Sequence, residues 1–169
     1  MSHFIRSSRS PLLTGGYRAF RPYVRADFSR QCAYCLMSEE LAGGEESFEL
    51  DHFRPRSRFP DLINDFYNIY YSCHPCNHTK LAYWPSAELE ARGILFVDLC
   101  KDDFKTHFKA QANGKWHGLT NSGNYTIEVL RLNRKHLVTI RKLLARAGFL
   151  PHEKRVGETE LKLMLHRSR

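Results

Sequence analysis

Cys32-Ala33-Tyr34-Cys35, then Asp51-His52-Phe53-Arg54-Pro55, then Asn68-Ile69-Tyr70-Tyr71-Ser72-Cys73-His74-Pro75-Cys76-Asn77-His78-Thr79-Lys80: this run decides how the chain folds. Four of the chain's five cysteines fall here into two Cys-x-x-Cys pairs separated by 37 residues. Paired turns of this kind aim four thiolates at one tetrahedral zinc ion, with Zn–S bonds of about 2.3 Å. Disulfides would need an oxidising compartment that nothing here indicates, and two such pairs among five cysteines argue against coincidence. A four-thiolate shell has no open position. Cys32, Cys35, Cys73 and Cys76 are therefore expected to hold a structural Zn²⁺ that anchors a small core and performs no chemistry. Cys100, beside Leu99 in an apolar stretch, is expected to be a packed small residue.

Working outward, Phe48 to Phe53 alternates as a strand, with Phe48, Leu50 and His52 on one face, and Pro55 ends it. Asn68 to Ser72 is a second β-rich stretch, and Cys76 to Trp84 suits a helix that stops before Pro85. Two strands then precede one helix. Arg21 to Arg30 suits a short helix, and Ser38 to Ser47, with Gly43-Gly44 and four glutamates, an exposed turn. Beyond the second cysteine pair, Ile94 to Asp98 is expected as a strand. Phe104 to Thr120 is expected as a hairpin turning at Asn113-Gly114, a dipeptide that suits a type I′ turn. Tyr125 to Leu132 and Arg134 to Ala147 have helical spacing, with Asn133 as N-cap and Gly148 as stop. The tail from Pro151, with Leu161, Leu163, Met164 and Leu165, is expected to be a further helix or mobile.

Cys32-x-x-Cys35, Asp51-His52, Asn68 and Cys73-x-x-Cys76-Asn77-x-x-Lys80, in that order, resemble the signature of the HNH endonucleases over about residues 28–84. The resemblance implies an α+β fold: a small ββα-metal, treble-clef-like core stapled by the four-cysteine zinc, with an added β-hairpin and C-terminal helices. It also implies that Asn77 takes the third signature position and that Asn68 braces the loop between the strands, so that the catalytic set is His52 and Asn68. The residue chemistry agrees. Phosphodiester hydrolysis needs a base to activate water and a cation to stabilise charge on the phosphate. His52, with an ordinary pKa near 6.5, can accept a proton, and Asp51 and Asn77 offer hard oxygen ligands to Mg²⁺ or Mn²⁺. Each residue also has a plainer role open to it: His52 as a core histidine beside Phe48 and Leu50, Asn68 as a turn residue, Asn77 as a helix-start polar group. His74 and His78 can be substitute ligands or exposed polar residues. Arg54, Arg56, Arg58 and Lys80 are expected to contact the nucleic-acid backbone or to form a solvated face.

The formal charge of +8 favours a polyanionic partner. Its placement is uneven: residues 1–26 hold five arginines and no acid, and residues 131–169 alone carry a net +8. Four segments follow: a basic N-terminal arm (1–26), the HNH core (27–86), a hairpin and helical extension (87–150) and a basic tail (151–169). Arg141, Lys142 and Arg146 are expected to present charge to DNA or RNA, with Leu137, Ile140, Leu143 and Leu144 turned inward. The N-terminal stretch has the composition of a transit peptide, but Pro11 and Gly15-Gly16 interrupt any helix there. With no secretory core and no unbroken aliphatic or aromatic run longer than Ile94 to Val97, a cytoplasmic protein without membrane spans is expected. The segment Tyr125 to Arg134 is similar to stand-alone bacterial HNH proteins, some of which act in antiphage defence beside an ATPase, so a protein partner of that kind is a further expectation. The reading from a different class is a noncatalytic zinc-stapled module that binds nucleic acid or protein.

Overall fold

The computed structural model describes residues 2–8, 10–11 and 14–149. A 3₁₀ turn at Tyr17–Phe20 runs into helix α1 (Arg21–Asp27), where Pro22 sits in the first turn and its missing N–H costs nothing. Phe20, Val24 and Phe28, spaced by four, form its buried face. The first cysteine pair follows as a tight knuckle. Leu36 N donates to Cys32 O at 3.0 Å, Cys32 N to Met37 O at 2.8 Å, and Ala33 N to Tyr71 O at 2.8 Å.

Ser38 to Ser47 differs from the exposed turn expected. It folds as a short helix α2 (Glu39–Ala42) and a 3₁₀ turn (Glu45–Ser47), and Glu39 is only 4% exposed. The Glu39 carboxylate accepts two bonds from Arg25, each 2.7 Å, and one from the Tyr71 hydroxyl at 2.5 Å. A charge buried this way is tolerated because it is paired and hydrogen-bonded.

Strands β1 (Phe48–His52) and β2 (Ile69–Cys73) pair antiparallel, Phe48 opposite Cys73 and His52 opposite Ile69. β2 is buried at all five positions, with Tyr71 stacked on Phe48 and Tyr70 on Phe53. Helix α3 (His74–Lys80) leaves β2 directly. It ends before Trp84, where it was expected to stop, because Leu81 turns left-handed at φ 47°. This hairpin and helix are the ββα core of an α+β fold.

The second half packs beside that core. Helix α4 (Ala87–Ala91) is capped by Ser86. Ile94 to Asp98 is not a strand: the N–H groups of Leu95 and Val97 are taken by the hydroxyls of Ser122 and Thr126, leaving no ladder for a partner strand. Helix α5 (Phe104–His107) precedes the short hairpin β3 (Phe108–Ala110) and β4 (Trp116–Gly118). The turn falls at Asn113-Gly114, but only Gly114 has positive φ, so it is not the type I′ turn expected. Thr120 caps α6 (Asn121–Val129), and α7 (Lys135–Arg146) is followed by left-handed Gly148. Asn133 does not cap α7. Its amide clasps the backbone of Trp116 instead, one bond to N–H and one to C=O, each 2.8 Å.

One buried cluster joins Phe4, the α1 face, the hairpin, Phe96, Trp116 and Leu137. Arg6 enters it rather than reaching outward as an arm: it bonds Asp27, the carbonyls of Ile69 and Phe66, and lies over the Phe66 ring. Among the described residues no helix is long and apolar enough to cross a membrane. The tail from 151 lies outside the described residues.

Candidate active site and metal centre

The knuckle and the β2–α3 junction bring Cys32, Cys35, Cys73 and Cys76 together, all buried and none in a disulfide. Their sulfurs lie within 4.8 Å of one another, and Cys35 Sγ to Cys73 Sγ is 3.7 Å. Bonds of about 2.3 Å in a tetrahedron require sulfurs about 3.8 Å apart, so the cluster fits zinc. Arg134, at the start of α7, donates to Cys76 Sγ at 3.2 Å. This contact offsets the negative charge that four thiolates keep even around a divalent ion.

His52 ends β1 and lines a cleft of about 680 Å³ together with Tyr17, Leu50, Asp51, Arg56, Ile63, Asn77 and His78. Its Nε2 lies 2.9 Å from the Ile63 carbonyl oxygen. A carbonyl can only accept, so Nε2 carries the proton and Nδ1 holds the free lone pair. Tyr17 packs edge-on against the imidazole at 4.7 Å. Burial lowers the His52 pKa from its ordinary value. The bond to Ile63 offsets this only in part, and the Arg56 charge adds to it. The neutral, proton-accepting form is favoured.

Asn68 stands at the foot of β2 and ties the connecting loop together. Its Oδ1 accepts from Arg54 N at 2.9 Å, and its Nδ2 donates to Arg54 O and Leu62 O at 3.1 and 3.2 Å. Leu62 directly precedes the residue whose carbonyl holds His52.

Asp51 lies in the same cleft wall but is already engaged. It accepts from Tyr34 Oη at 2.5 Å and from Lys80 Nζ at 3.1 Å. Burial pushes its pKa up, against the Lys80 charge and the Tyr34 bond. Its Oδ1 has only the long 3.4 Å contact with Lys80. Asn77 donates its Nδ2 to Glu49, and its Oδ1 has no partner among the described residues. Asp51 and Asn77 both line this cleft as oxygen-bearing side chains.

Two basic residues are displaced from where the sequence suggested. Lys80 is wholly buried, its ammonium on Asp51 and on the His52 carbonyl at 2.8 Å, so it is not exposed to a nucleic-acid backbone. Arg141 is 6% exposed, stacked 3.7 Å from the Trp116 ring centroid and donating to Leu132 O, and burial lowers its pKa to about 10. Helix α7 is rotated so that Leu137 and Arg141 share the inner face and Leu143 faces solvent, while Lys142 and Arg146 are exposed. Of the remaining arginines, Arg56 lines the His52 cleft. Arg54 lies over Phe59 and Trp84 beside a second cavity, and Arg58 is held by Glu90 and the Pro85 carbonyl. His74 and His78 are exposed. Tyr17, Tyr34 and the Ile63 carbonyl carried no signal in the sequence, because their link to the site is tertiary.

Residues 32–82 match the model of the HNH endonuclease family. Over 120 residues the chain is 27% identical to the Septu protein PtuB of Bacillus thuringiensis, an alignment covering 68% of this chain and 42% of that protein. The chain thus spans less than half the length of the curated relative it matches.

Proposed function

We propose that this protein is a metal-dependent HNH endonuclease that hydrolyses phosphodiester bonds in DNA, with residues 27–86 as the nuclease unit and 87–150 as an extension built onto it. The observation that carries this reading is His52: its Nε2–H is committed to a backbone carbonyl, so Nδ1 is the basic atom in a cleft wide enough for a phosphodiester. His52 takes a proton from water through Nδ1. Asn68 is a positioning residue that holds the loop bearing Ile63. Asp51 and Asn77 would hold a Mg²⁺ or Mn²⁺ ion, which when bound neutralises charge developing on the phosphate and on the leaving oxygen. Arg56 in the cleft wall, with Arg54 and Arg58 near it, supplies cationic contacts to the strand. The likeness to a Septu protein, with the resemblance of Tyr125 to Arg134 to stand-alone bacterial HNH proteins, supports an effector in antiphage defence. In that setting it would act in the cytoplasm with a protein partner such as an ATPase. The engagement of Asp51 by Lys80 and Tyr34 favours the second reading, a noncatalytic zinc-stapled binding module.

Plasmid nicking with Mg²⁺, Mn²⁺ or EDTA, comparing wild type with His52→Ala, decides between them. The expected outcome is ion-dependent nicking that falls by about 10²–10⁴-fold in the variant, with folding and DNA binding retained. Because burial lowers the His52 pKa, the rate should hold through neutral pH and decline only below the ordinary value of about 6.5. Cleavage equal in wild type and variant would reject the base, and no cleavage by wild type would favour the module.

A further inference from the structure

Three metal-ligating side chains converge outside both sites described above. His74 and His78 are four residues apart on α3 and so project from one face of the helix, their ring centroids 4.0 Å apart. Glu49 of β1 comes up beside them. One carboxylate oxygen lies 2.8 Å from His74 Nδ1 and the other accepts the Asn77 amide, so both oxygens of this carboxylate are oriented. One donor atom from each of Glu49, His74 and His78 lies within 4.8 Å of the other two. Zinc bonds of about 2.0–2.2 Å require donors about 3.3–3.5 Å apart. The remaining gap of at most about 1.5 Å is within reach of two exposed imidazoles rotating about their side-chain bonds.

We propose that Glu49, His74 and His78 form a second metal site that binds a divalent transition-metal ion such as Zn²⁺, Ni²⁺ or Co²⁺. Two imidazoles and one carboxylate select these borderline ions over Mg²⁺ and Ca²⁺, which prefer oxygen donors alone. Three protein ligands leave a coordination position for water or a phosphate oxygen, unlike the closed four-cysteine cluster. The position is also informative. Glu49 and Asn77 line a cavity of about 530 Å³ with Arg18 and Arg21, while His78 and Asn77 line the His52 cleft. The site therefore stands where the two cavities meet, on a surface that already carries cationic side chains suited to an anion.

The test is independent of cleavage. Untagged protein with zinc already in its cysteine cluster is titrated with Ni²⁺ by calorimetry and with Co²⁺ by visible absorption, in excess Mg²⁺. Wild type should take up one further equivalent with imidazole-type Co²⁺ bands. Glu49→Gln, His74→Ala and His78→Ala should each bind it at least about tenfold more weakly, and His117→Ala, an exposed histidine on β4, should match wild type. Circular dichroism checks folding, and either histidine variant suffices because both side chains are exposed. No further equivalent in wild type, equal binding in the three ligand variants, or an equal loss in His117→Ala would overturn the site. Loss of nicking with the extra equivalent retained would bear only on the nuclease reading.

Discussion

Replacing Arg134 by Met should loosen the zinc without unfolding the chain. Arg134 Nη2 donates to Cys76 Sγ at 3.2 Å, and its Nη1 reaches the Leu130 carbonyl at the same distance. Burial alone would lower the Arg134 pKa, yet the charge and hydrogen bond of Cys76 outweigh it and hold the guanidinium above its ordinary value. A hydrogen bond to a charged group contributes about 1.5–3 kcal/mol. Met keeps most of the aliphatic stem and removes the donor, so that contribution disappears from the metal-bound state. At 1.4 kcal/mol per decade, the dissociation constant for zinc should rise about 10- to 150-fold, overlapping the 10- to 100-fold range typical when a group that supports a metal ligand is removed. Competition with a chromophoric chelator measures the constant, and Arg134→Lys, which keeps the charge but not the planar fork, should fall between the two. Zinc affinity within about twofold of wild type in folded Arg134→Met would refute the idea that the guanidinium stabilises the thiolates.

Glu39→Gln should destabilise the protein by about 1–3 kcal/mol at neutral pH, since Arg25 loses its anionic partner. Although burial alone would raise it, the bonds from Arg25 and Tyr71 hold the Glu39 pKa below its ordinary value, so its contribution is complete above the unfolded-state value and is lost as pH falls through the folded one. Denaturant titrations of both proteins should therefore converge below about pH 4.5, and a difference that persists unchanged into acid would contradict the assignment. Lys142→Ala with Arg146→Ala should weaken binding to all DNA sequences alike and reduce the salt slope by up to about 0.9 for each phosphate left unneutralised, read by fluorescence anisotropy over a salt series. An unchanged slope would place the C-terminal charge against a protein partner instead.

What was legible in the sequence is what depends on spacing. The two cysteine pairs and the alternation through Asp51-His52 are local patterns, and the structure builds the ββα core from them. Charges were harder. Lys80 meets Asp51 and Arg6 meets Asp27 across separations of 29 and 21 residues, and no window of sequence shows that such a cation has a buried partner. Arg141 misled for a related reason: its flat guanidinium can cover an indole as well as a leucine can, so an amphipathic pattern placed it on the wrong side of α7. Ile94 to Asp98 has the composition of a strand, but a strand exists only if another edge is there to receive it, and the hydroxyls of Ser122 and Thr126 stand in that place.

The bond from His52 to residue 63 is made to the main chain, and this changes which substitutions can touch it. Any amino acid at position 63 presents the same carbonyl oxygen, so the tautomer of His52 does not depend on the side chain chosen there. The neighbouring side chains of the loop can therefore vary in size and charge, and with them the shape offered to a substrate, while the imidazole keeps its proton on the same nitrogen. Only a change that reroutes the backbone, such as an insertion or a proline beside Leu62, would disturb it. The loop is in this sense a place where specificity can drift without retuning the histidine.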